Sequence, residues 1–183
     1  MPQLRFATAR SLLDAFPELT ARLAVAPSDE SPIAYLNRLS SQDRLEDAVL
    51  FCAHLLPRRE AVWWACGSLK QLLREVACDQ SEGFRVAEAW VYEPSEDNRR
   101  KALETGMKGD SADPSTWLSL GAGWSGGMLS SHPKGPVPMP PHMTARAARI
   151  AITLGAHRAP EAERAERLRA CVTDGTTLAE NGL

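Results

Sequence analysis

Residues 57–78 read PRREAVWWACGSLKQLLREVAC, and the spacing of their apolar side chains decides the fold class. At 100° per residue, Val62, Ala65, Cys66, Leu69, Leu72, Leu73, Val76 and Ala77 fall within an arc of about 140°, the core face of an amphipathic helix. Lys70, Gln71, Arg74 and Glu75 lie opposite. Trp63 sits at the edge of the apolar arc, where its ring can fold inward. Trp64 lands beside Ser68, Gln71 and Glu75, on the face expected to be wet. A large aromatic there needs a cover, supplied either by another element or by a partner. Gly67 lies between the two rings and would let another backbone approach. Pro57 suits a helix start, because its missing N–H would be unpaired there anyway. Arg58 and Arg59 follow directly, which puts cations at the positive end of the helix dipole, a penalty of up to about 1 kcal/mol. They read either as surface arginines with acidic neighbours or as the basic rim of an aromatic binding surface.

Working outward, the same helical period recurs on both sides. Thr8 can cap a helix over 9–15, which Phe16-Pro17 ends. Ser31-Pro32 opens another, and Ser41 is expected to cap a helix from Gln42 to about Leu56. That helix is apolar on most sides and is expected to be central. Beyond Cys78, helices follow through Phe84 and Trp90, from Glu96 to a stop at Gly106, and from Pro114. Thr144 is expected to cap a helix over 145–158, and a charged helix from Glu161 ends near Val172. No convincing alternating pattern argues for strands. The expected fold is all-α, an irregular multi-helix bundle or short stack of helix pairs. Residues 1–172 form one helical domain in this reading, and 173–183 a flexible C-terminal tail.

Residues 121–143, GAGWSGGMLSSHPKGPVPMPPHM, hold five prolines and five glycines. They are expected to form a long ordered loop. From Pro114 to Ala145 the only formal charge is Lys134, while Trp117, Trp124, Met128, Leu129, Val137, Met139 and Met143 supply apolar surface. Disordered chains have the opposite composition, so the loop is expected to pack on the helices, with extended geometry over 137–141. Its expected place is across Trp64.

The chain has 183 residues, 44% apolar and 24% charged, with net charge −2 and a pI of about 6.1. That balance favours neither nucleic acid nor an anionic membrane as partner. No apolar run is long enough to span a bilayer, and no signal peptide is visible at the N-terminus, so the cytoplasm is the expected compartment. Cys52, Cys66, Cys78 and Cys171 show no CxxC spacing and read as free, packed thiols. Cys52 and His54, two apart on a helix, do not face one another, so no metal site is expected. Gly121-Ala122-Gly123 with Gly126 matches GxGxxG literally, but lacks the strand before it and the βαβ unit around it. Ser130, Ser131, His132 and His142 have no visible catalytic partners. Neither a catalytic residue nor a cofactor is expected.

Several segments together resemble an uncharacterised family of small bacterial helical proteins: SPIAYLNRL (31–39), LLPRREAVWWAC (55–66), EAWVYEPSEDNRRKA (88–102), and WSGG (124–127) followed by PxPPHMTARA (138–147). They cover most of the chain from Ser31 to Ile152. Members of that family resemble accessory proteins encoded near type VI secretion cargo and spike genes. The resemblance implies a non-enzymatic adaptor or chaperone that holds a secreted effector or spike component. The residues expected to meet such a partner are Arg58, Arg59, Trp63, Trp64, Trp124, Met139, Pro140 and His142. An immunity protein blocking a cognate toxin is the alternative, and would need a concentrated acidic patch. A hydrolase without a recognisable motif is the third reading.

Overall fold

A computed structural model describes residues 4–26, 28–74, 76–132 and 135–182. Among them the chain folds into nine α-helices: α1 (Ala9–Ala15), α2 (Pro32–Ser41), α3 (Leu45–Leu55), α4 (Arg58–Leu72), α5 (Glu82–Tyr92), α6 (Glu96–Lys108), α7 (Pro114–Gly123), α8 (Met143–Arg158) and α9 (Glu161–Asn181). A single two-stranded antiparallel hairpin, β1 (Met128–His132) and β2 (Gly135–Pro138), stands between α7 and α8. The all-α expectation holds, with an irregular multi-helix arrangement.

Helix starts follow their caps. The hydroxyls of Thr8, Ser31, Ser81 and Ser95 and the carboxylate of Asp113 each accept from a backbone N–H of the first turn, satisfying donors that the helix leaves unpaired. Ser41 is a correction: it ends α2 and donates to the Arg38 carbonyl at 2.8 Å. Asp43, at φ +58°, breaks the helix before α3 begins at Leu45. Gly106 is another. It sits inside α6, where Leu120 presses so closely that a Cβ would meet its Cγ at 2.7 Å. Packing of α6 on α7, not a stop, explains the glycine. Thr144 does not cap α8 either; His142 is the N-cap, and the Thr144 hydroxyl donates to the Gly121 carbonyl at 3.1 Å.

The central helix is α4, which packs on α5, α7, α8 and α9, while the almost wholly buried α3 packs on α2, α8 and α9. α4 is shorter than its apolar pattern, ending at Leu72, and Val76 is 62% exposed rather than in the core. α9 is longer than expected. It runs on past Val172 to Asn181, through most of TDGTTLAENGL.

Helix C-termini are tied by arginines from other elements. Arg5 donates to the Leu56 carbonyl at the end of α3 (3.1 Å) and Arg167 to Leu72 at the end of α4 (2.7 Å). Arg59 reaches Val91 in the last turn of α5 (2.7 Å), Arg99 reaches Gly123 at the end of α7 (2.6 Å), and Arg164 reaches Ala156 in α8 (2.9 Å). Each cation meets a carbonyl near the negative end of a helix dipole.

Candidate functional site

Trp64 is 3% exposed, and its cover is α9. Its indole N–H donates to the Cys171 carbonyl at 2.7 Å. Gly175 makes the room: a Cβ there would meet Cys52 Sγ at 2.5 Å and Trp64 Nε1 at 2.7 Å. Gln71 donates to Asp174, and the Cys171 thiol lies 3.8 Å from the Ser68 carbonyl. The strip of Trp64 and Ser68 on α4 is therefore a second buried face, while Lys70 and Arg74 stay exposed. The expectation that residues 121–143 cover Trp64 is overturned, because the C-terminal helix occupies that place.

The two arginines at the start of α4 also have structural partners. Arg58 donates to the Ser125 carbonyl in the turn after α7, and Arg59 to Val91. The negative ends of α7 and α5 thereby offset the positive end of α4. Together with the Arg99–Gly123 bond, these contacts gather the start of α4, the end of α5, the start of α6 and the base of the hairpin at one end of the molecule. Trp63 is half-buried there, stacked edge-on against Tyr92 with ring centroids 5.5 Å apart, and Tyr92 is 66% exposed. Trp63 also lines a groove of about 440 Å³ between α4 and the end of α9, with Gly67, Thr177, Leu178 and Asn181. Gly67 faces open space: an added Cβ meets nothing within 4 Å, so no backbone approaches it as expected. Glu88, paired with Lys70 at 3.0 Å, and Asp174, which accepts from Gln71, also line the groove.

Residues 121–143 divide into the end of α7, the hairpin and the start of α8. Trp124 is half-buried and stacks on Trp117 (6.3 Å). Met139 is buried, with its N–H bonded to the Gly127 carbonyl at 3.0 Å, and Pro140 is half-buried beside it. Among the described residues, it is the base that is held in this way. Met128 is 57% exposed, and Pro136, Val137 and Pro138 are exposed along β2, contrary to a loop packed along its whole length. Residues 133 and 134, including the one charge of the segment, lie outside the described residues.

His142 is brought to a different place, and Trp63 and His142 do not share a site. Its Nδ1 lies 3.6 Å from Glu18, at the rim of a cavity of about 270 Å³ lined also by Leu19, Leu50, His54, Arg22, Arg146 and Arg149. His54 forms part of the floor. Its Nδ1 is 2.8 Å from the Leu50 carbonyl, which can only accept, so the proton is on Nδ1. Burial pushes its basicity down. Sequence reasoning missed the three arginines. A signal was present: no Asp or Glu occurs from Pro114 to Pro160, so the arginines of α8 have no acidic neighbour on their own helix.

Three of the four thiols are shielded from solvent. Cys52, Cys66 and Cys171 are buried and free, and burial pushes the Cys171 thiol up to about 11 and those of Cys52 and Cys66 higher still. Among the described residues no His, Cys, Asp or Glu cluster is placed to hold a metal. No helix among them is long and apolar enough to cross a membrane.

These features belong to an all-α, multi-helix protein. The chain belongs to a family of unknown function, DUF6931, whose model matches residues 35–179, from α2 nearly to the end of α9. No curated protein and no solved structure matches the chain.

Proposed function

We propose that this protein is a non-enzymatic adaptor or chaperone that holds a segment of another protein against the Trp63 groove. One observation carries the reading: Trp63 joins an open apolar groove to the exposed ring of Tyr92. Aromatic side chains lining an open groove are suited to an apolar anchor on a partner. The exposed Met128 and Val137 of the hairpin extend the apolar surface. On the resemblance described above, the partner would be a secreted effector or spike component of type VI secretion.

The test is co-purification with the products of neighbouring genes, combined with bacterial survival when each product is expressed with and without this protein. Stable capture without neutralisation is the expected result. Tyr92→Ser and Gly67→Phe, the first at the surface and the second filling the groove, should each weaken capture at least tenfold while leaving the fold intact. Rescue from killing would replace this reading with the immunity one. Failure of every product to co-purify would sink both.

A further inference from the structure

The arginines of this protein divide sharply by partner. Those outside the His142 cavity have a carbonyl or carboxylate, except the exposed Arg85 on α5. Arg22, Arg146 and Arg149 all line one cavity, and among the described residues no guanidinium of the three has a hydrogen bond or ion pair. They arrive from separate elements. His142, Arg146 and Arg149 recur at i, i+4 and i+7 along one stripe of α8. Leu50 and His54 come from one face of α3, and Glu18, Leu19 and Arg22 from the turn after α1. The single carboxylate in the lining, Glu18, lies beside His142.

We propose that this cavity binds a phosphate-bearing small molecule, with Arg22, Arg146 and Arg149 holding the phosphoryl oxygens. Three guanidinium forks around one cavity match the three terminal oxygens of a phosphate monoester, each fork able to donate two parallel hydrogen bonds. A volume of about 270 Å³ admits a phosphate with a short organic remainder. Leu19 and Leu50 give that remainder an apolar wall. His54 keeps its proton on Nδ1, so Nε2 is left to accept from a hydroxyl of the ligand. Arg22 and Arg146 are exposed, and the cost of the unliganded cluster falls on Arg149. Burial and the charges of Arg22 and Arg146 lower the basicity of the half-buried Arg149, and Glu46 offsets this only in part. A bound dianion relieves that repulsion, which is the driving force for the site.

Titration calorimetry with inorganic phosphate, glycerol 3-phosphate and succinate tests the assignment in the full chain. Saturable binding of one phosphate-bearing probe per chain is expected, with succinate at least tenfold weaker. Inorganic phosphate binding as tightly as the ester would identify the free ion as ligand; tighter binding of the ester would show that the apolar wall contributes. Arg149→Gln and the exposed Arg146→Gln should each weaken binding at least tenfold, and Arg85→Gln should not. Phosphate should raise the thermal midpoint of the wild type and leave that of Arg149→Gln nearly unmoved. Absence of saturable binding, equal loss in Arg85→Gln, or a preference for succinate overturns the proposal.

Discussion

At the scale of single residues, Trp64 and Gly175 make one contact between them. Glycine inside a helix costs about 1 kcal/mol relative to alanine, and α9 accepts that cost because Trp64 and Cys52 fill the space where a Cβ would lie. Gly175→Ala is therefore expected to destabilise by about 1–3 kcal/mol through overpacking, despite its better helix propensity. Trp64→Phe removes the bond to the Cys171 carbonyl and should cost a similar amount. Urea denaturation of both variants checks the pair. His54 makes a pH-dependent contribution. Burial lowers its basicity below the ordinary value of 6.5; the Leu50 carbonyl and Glu18 oppose this, and His142 and Arg149 reinforce it. Between the folded and unfolded values the unfolded chain binds more protons, so this contribution is complete above about pH 6.5 and is lost as pH falls toward the folded value. The fall in stability between pH 7.5 and 5.5 should be smaller in His54→Gln than in the wild type.

At the scale of elements, the C-terminal helix differs most from its reading as a frayed tail. TDGTTLAENGL looks like a tail because glycine, threonine and asparagine are weak helix formers. Local preference loses here to tertiary contact. The hydroxyls of Thr173, Thr176 and Thr177 bond back to carbonyls four residues earlier, while Leu178 and Ala179 pack against the core. Truncation after Val172 should therefore expose Trp64, red-shift its fluorescence and lower the denaturation midpoint substantially. A chain ending there that kept wild-type stability would contradict the packing described. The arginine ties between helices show the same principle: the basic start of α4 looks unfavourable alone and becomes favourable once the ends of α5 and α7 face it.

At the scale of the whole molecule, the hairpin and the helical body are separable. An isolated two-stranded hairpin is marginal in water, and this one is anchored at its base, where the Met139 N–H meets the Gly127 carbonyl. Replacing residues 128–138 by three glycines should leave the helical circular dichroism of the body unchanged, since the ends are already adjacent. On the adaptor reading, the same change should reduce partner capture. Loss of the helical signal would show that the hairpin supports the body.

The amino-acid pattern by itself determined the helical class and most helix starts, because capping chemistry and a 3.6-residue period act within a few residues. Membership of an uncharacterised family was legible too. Three outcomes belonged to the tertiary structure alone: that α9 covers Trp64, that Arg58 and Arg59 serve neighbouring helix ends, and that Arg22, Arg146 and Arg149 surround one cavity. Each depends on side chains far apart in the chain meeting in space. A single-helix periodicity shows which face is apolar, but not which distant element will cover the face that is not.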